Sequence, residues 1–154
     1  MSEQLMKAND IVQNQMYWCI GAGLIPLPLL DVGSVTLLQL DMLRQLCQLY
    51  GVSYDQAQGK ARIVALAGGM LPRMAASMVK TIPFVGTIVG EITMTALAGA
   101  STYAIGQVFI RHFEAGGNMQ NINISAFKSV YADLFVQGKE LVSQFLKAKK
   151  KGDK

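Results

Sequence analysis

Apolar positions along the chain recur at three- and four-residue spacing, and no stretch sustains the apolar-polar alternation of a half-buried strand; the pattern predicts an all-α fold. The first periodic run begins near Asp10, where Gln13 stands at the spacing of a capping box, and stops at about Leu24 ahead of Pro26 and Pro28. Asp31 suits the head of a second helix, which carries Val35, Leu38, Met42, Leu46 and Leu49 along one stripe and ends at Tyr50-Gly51. A third helix is expected from Ser53, paired with Gln56 as a capping box, with Val52 and Ala57 as a hydrophobic staple. It passes Gly68-Gly69 and is broken or kinked at Pro72, and a further segment reaches Lys80.

Residues 82–90, IPFVGTIVG, supply a turn through Pro83 and Gly86, followed by a long helix from Thr87 to about Glu114 that Gly116-Gly117 ends. A last amphipathic helix starts at Ile124 and sets Ile124, Phe127, Tyr131, Leu134, Gly138, Leu141 and Phe145 on one stripe. That stripe suits packing on the rest of the chain, an oligomer seam or a membrane surface; intramolecular packing is the expectation. Ile25-Pro26 and Ile82-Pro83 mark two similar turns. The architecture is thus about five helices, arranged as two hydrophobic helical hairpins plus the C-terminal amphipathic helix. Residues 1–146 form a single domain and 147–154 a Lys-rich tail.

The long helix poses the question of a membrane span. From Thr87 to Ile110 it measures about 36 Å, enough for a hydrocarbon layer of about 30 Å. Thr93, Thr95, Ser101, Thr102 and Gln107 dilute its hydrophobicity, and an unpaired Glu91 would cost roughly 2.5 to 3.5 kcal/mol at a membrane centre. Pairing with Arg73 would relieve that charge if the second hairpin closes. The stronger signal is close helix packing: Gly86 and Gly90, then Ala96, Ala100 and Ala104, recur every four residues, with Gly99 and Gly106 seven apart. The tips, Ile25, Pro26, Leu27 and Pro28 in one hairpin and Ile82, Pro83, Phe84 and Val85 in the other, prefer lipid or a partner surface unless covered.

Composition agrees. Apolar residues make up 51% and charged residues 16%, against about a quarter charged in an ordinary soluble domain, and the mean hydropathy is +0.31. This leans toward membrane contact or extensive oligomer interfaces. The net charge of +4 resides wholly in KAKKKGDK at the C-terminus, where five Lys stand against one Asp. Such a run is a solvated, disordered end or a site for anionic lipid headgroups through Lys147, Lys149, Lys150, Lys151 and Lys154. No basic face accompanies it, so no nucleic-acid partner is expected.

No catalytic constellation stands out. Position 91 is Glu where a phosphate loop needs Lys. His112 is the lone histidine, read as a surface residue near a helix end, and Asp31 and Asp41 read as a cap and a polar-face residue. Cys19 and Cys47 lack metal-ligand spacing and read as reduced core residues. The N-terminus MSEQLMKAND is too polar for a secretory signal. No cofactor, metal or enzymatic activity is expected.

The stretches IPLPLLDVGSVTLLQLDMLRQLCQLYGV and IPFVGTIVGEITMTALAGASTYAIGQVFIRHFEAGG resemble the GTPase-associated domain of unknown function six hundred and ninety-seven, the YcjF-like family of bacterial proteins. The likeness covers about residues 10–117 and is carried by Pro26, Pro28, Asp31, Gln39, Tyr50, Gly51, Pro83, Gly86, Tyr103 and Gly106. It implies an all-α hydrophobic module found fused to or encoded near Era-like GTPases, often at the cytoplasmic face of a membrane. The reading is a non-enzymatic, membrane-associated module that self-associates and acts as adaptor or effector of a GTPase in membrane organisation. The alternative is a soluble, cytoplasmic homo-oligomeric structural or shell-forming protein without lipid contact.

Overall fold

The computed structural model describes residues 2–23, 32–68 and 87–152. Among these residues the chain forms five helices and no strand: α1 (Glu3–Gly23), α2 (Val32–Tyr50), α3 (Gln56–Ala67), α4 (Thr87–Glu114) and α5 (Ile124–Gly152). The hairpin tips at 25–28 and 82–85, together with Gly86, Arg73, Pro72 and Lys154, lie outside the described residues.

Local chemistry accounts for the helix ends. The Ser2 hydroxyl accepts from the Leu5 amide at 3.1 Å, so α1 starts seven residues earlier than the Asp10–Gln13 box predicts; both of those residues lie within the helix. Asp55, not Ser53, caps α3, with extended backbone angles and a carboxylate that accepts from Ala57 N at 3.1 Å. Asn123 caps α5 by accepting from Ala126 N at 3.2 Å.

Two glycines finish helices in the left-handed region, Gly51 at φ 66° and Gly116 at φ 86°. Behind each, paired backbone bonds close the last turn: Val52 N to Cys47 O with Gly51 N to Gln48 O, and Gly117 N to His112 O with Gly116 N to Phe113 O. The expected boundaries of α4 at Thr87 and Glu114, and the start of α5 at Ile124, stand as read from the sequence. The expected disordered tail differs: the last helix continues through Lys147 to Gly152.

Long-range pairs define the topology. Gln4 reaches Leu49 and Gln15 reaches Asp41, so α1 and α2 run antiparallel. Asn9 meets Gln107 and Cys19 meets Thr102, so α1 and α4 are antiparallel as well. Gln39 at Thr102 and Tyr50 at Glu114 make α2 parallel to α4. Ser101 meets Tyr131 while Gly99 faces Val142, which turns α5 back against α4. α4 is the central helix, about 42 Å long over its 28 residues, and it touches all four others.

The core continues through Val12, Leu43, Leu46, Leu66, Ile105, Phe109, Tyr131 and Phe135, all without exposed surface or nearly so. Each such side chain contributes about 1.5 to 3 kcal/mol by leaving water. The stripe on α2 is wider than the sequence reading: Gln39, Leu40, Leu43 and Cys47 are buried, while Val35, Leu38 and Leu49 are half-buried. The apolar stripe of α5 faces the interior of the protomer. Tyr131, Leu134 and Gly138 are buried and Ile124 and Phe127 pack on the core.

Candidate functional site

Three arrangements gather the side chains able to do something beyond filling space. The first is a polar knot between α1, α2 and α4. The Thr102 hydroxyl donates to Ala98 O at 2.8 Å, one turn back on its own helix. Its single proton being spent, it accepts from Gln39 Nε2 at 3.1 Å and from the Cys19 thiol at 3.3 Å. Burial pushes the Cys19 thiol above its ordinary range, the Thr102 hydroxyl opposing it only in part, and burial pushes Cys47 up to about 11. Both cysteines are free and buried. Thiols so placed are protonated near neutrality and poor nucleophiles.

One turn away, the Asp41 carboxylate accepts from Arg44 Nη2 at 2.6 Å, Gln45 Nε2 at 2.7 Å and Gln15 Nε2 at 2.9 Å. The Arg44 guanidinium, joined by the two amides, holds the carboxyl below its ordinary range despite some burial. Gln15 Oε1 is buried without a partner among the described residues. The opposite amide orientation would turn that oxygen toward the carboxylate, so the donor contact fixes the rotamer.

The second arrangement is the set of small residues along α4. Gly99, Ala100, Ala104 and Gly106 are buried and Ala96 is half-buried. A Cβ on Gly106 would collide with Val12 Cγ2, and one on Gly99 would fall 2.9 Å from Val142 Cγ2. From the other side, a Cβ on Gly138 would fall 2.9 Å from Ala100 Cα. These positions bring α1 and α5 onto α4 within one protomer. Gly90 lies on α4.

Of the third arrangement, the sequence pattern pointed to the lysines and Phe145 but not to Tyr17 or Trp18. Tyr17 stacks on Phe145 at 4.9 Å between ring centroids, and beside it Trp18 is 68% exposed. Lys147, two residues past Phe145, is exposed, and Lys149, Lys150 and Lys151 follow on the last turns of α5. The signal was present in the pattern: the buried stripe of α1 runs Ala8, Val12, Met16, Cys19 and Ile20, and Trp18 falls off it beside exposed Asn14.

His112 is partly exposed in the last turn of α4, near a helix end as expected. Its Nε2 lies 2.8 Å from both Asn118 O and Asn121 Oδ1, so the ring donates from that nitrogen into the Asn-rich loop. Tyr131, held by Ser101 at 3.0 Å, is pushed up to about 12 by burial, against the hydrogen bond. Among the described residues, no three His, Cys, Asp or Glu side chains gather as a metal site, and no helix is long and apolar enough to cross a membrane.

The chain is 34% identical over 148 residues to magnetosome membrane protein 22 of Magnetospirillum gryphiswaldense, a match spanning 93% of this chain and 75% of that protein. No solved structure matches it. The family described as Domain of unknown function (DUF697) matches residues 1–140, and those residues include α1 to α4, the polar knot and the Gly138 contact: the chain belongs to the DUF697 family.

Proposed function

We propose that this chain is a non-enzymatic, membrane-associated helical module that self-associates and serves as adaptor or effector of a GTPase in membrane organisation, working at the cytoplasmic face of a membrane. The observation that carries the reading is its similarity, over nearly its whole length, to a protein named as a magnetosome membrane protein. Support for self-association comes from the composition, 51% apolar and only 16% charged, which favours extensive apolar contact outside the protomer. The GTPase link rests on the company the family keeps.

The soluble shell-forming alternative draws less support. Gly99, Gly106 and Gly138 meet side chains and backbone of their own protomer, so these close-packing positions are not free to build a seam between copies. Cell fractionation with carbonate and salt washes tests the reading. Recovery of the native chain with membranes supports it, and recovery wholly in the supernatant before any wash overturns it. Size exclusion with light scattering tests self-association, and a strictly monomeric species removes that part.

A further inference from the structure

We infer that the edge of the bundle where α1 and α5 end side by side docks on an anionic lipid surface, with Trp18 as its interfacial anchor. The inference rests on the membrane reading above and names the surface that makes contact.

Topology comes first. Since α1 and α5 both run antiparallel to α4, they run in the same direction, and the Tyr17–Phe145 stack fixes their register. Gly23 and Gly152 therefore close the same end of the molecule. The antiparallel α1–α2 pair and the antiparallel α4–α5 pair bring Val32 and Thr87, the starts of α2 and α4, to that end too. The chain segments that enter and leave there carry Ile-Pro in sequence.

Charge is the second observation. All of the net +4 derives from the last eight residues, and the fold gathers their helical part at this one end. The opposite end, with Glu3, Asp55 and Glu114, has no such excess. A neutral body with its surplus lysines on one edge is complementary to an anionic plane. Each lysine near such a surface strengthens binding about fivefold, an attraction that fades within a Debye length of about 8 Å at physiological salt.

The aromatic side chains are the third. Trp18 is the chain's single tryptophan, and it projects from the flank of α1 one turn before the helix ends, more exposed than any other large apolar side chain described. Tyr17, propped by Phe145, holds a second ring 41% exposed. Tryptophan and tyrosine prefer the headgroup level, where the ring meets acyl carbon and its N–H or O–H meets water. Trp18 on α1 and Lys147 on α5 are both exposed close to the Tyr17–Phe145 stack, which sets the aromatic side chains beside the lysine-bearing last turns of α5. An acidic protein would match the lysines but would not require rings beside them.

Because Trp18 is the sole tryptophan, its emission reports the contact directly. The full chain is titrated with phosphatidylcholine vesicles with and without phosphatidylserine, following emission and co-sedimentation together. The expected result is a blue shift and co-sedimentation with phosphatidylserine vesicles only, reversed by salt. Replacing Lys147, Lys149, Lys150 and Lys151 by Ser, with helix content checked by circular dichroism, weakens binding by at least tenfold. Tyr17→Ala, which leaves the reporter intact, weakens it less. Co-sedimentation without any change in Trp18 emission overturns the assignment of this edge and leaves the membrane reading standing. Equal shifts on both vesicle types overturn the anionic preference. An emission change on an acidic polypeptide, with none on vesicles, assigns the edge to a protein partner and overturns the proposal. Membrane recovery from cells, assayed separately, decides the broader reading.

Discussion

Gly138 of α5 sits directly against Ala100 of α4: a Cβ on the glycine would lie 2.9 Å from both the Cα and the carbonyl oxygen of the alanine. The obstruction is backbone, which cannot swing aside as a side-chain tip can. Gly138→Ala gains about 1 kcal/mol of helix propensity and meets overpacking of about 1 to 3 kcal/mol. A net loss is expected, read as a lower urea midpoint. An unchanged midpoint would mean that this contact does not set the spacing of α4 and α5.

Gly106 faces a different obstacle. A Cβ there would strike Val12 Cγ2 and fall 2.8 Å from Cγ1, with Met42 Sδ at 3.1 Å. Gly106→Ala destabilises, and because the methyls of Val12 are the barrier, Val12→Ala relieves it. In a double-mutant cycle the combined loss is smaller than the sum of the single losses by about 0.5 to 3 kcal/mol. Strict additivity would separate the two residues.

These contacts also mark what could be read without coordinates. The ends of α2 and α4 were legible because Gly51 and Gly116 signal locally, through backbone that only glycine adopts cheaply. The start of α1 was not, because Asp10 and Gln13 on the outer face mimic a cap, whereas Ser2 has Leu5 where a capping box has an acid or amide. Small residues at four-residue spacing announced a crossing on α4, yet periodicity cannot say whether the other helix belongs to the same chain. The bonds from Thr102 to Gln39 and Cys19 join positions 63 and 83 residues apart, and no local pattern encodes such a meeting.

Thr102→Val removes the oxygen on which that knot converges. The Gln39 amide and the Cys19 thiol then remain buried without an acceptor, at a cost of about 1 to 3 kcal/mol. Adding Gln39→Leu removes the stranded amide and recovers part of the loss. A double variant less stable than Thr102→Val alone would show that the packing, not the hydrogen bond, matters there.

The two thiols offer a probe of the same region. Cys19 and Cys47 are raised by burial, so labelling by a disulfide reagent at pH 7 is slow and follows opening of the bundle. Denaturant accelerates both to the rate of an unfolded thiol, and Thr102→Val accelerates Cys19 in the native state. Rapid stoichiometric labelling of the native chain would contradict the burial of both groups.

Asp41 supplies the pH dependence. Its folded-state pKa is lowered, first by the Arg44 hydrogen bond and then by Gln45 and Gln15, while burial acts in the opposite direction. A depressed carboxylate stabilises fully above its unfolded pKa of about 3.9 and loses that contribution as pH falls through the lower folded value. The Asp41 and Arg44 side chains are 39% and 50% exposed, and screening at such exposure limits the contribution to about 1 kcal/mol or less. Asp41→Asn is therefore less stable than the native chain at pH 7. The gap narrows as pH drops below about 4, and salt narrows it further at neutral pH. A difference that stays constant between pH 7 and pH 3 would assign the loss to the hydrogen-bond geometry of the amide rather than to the charge.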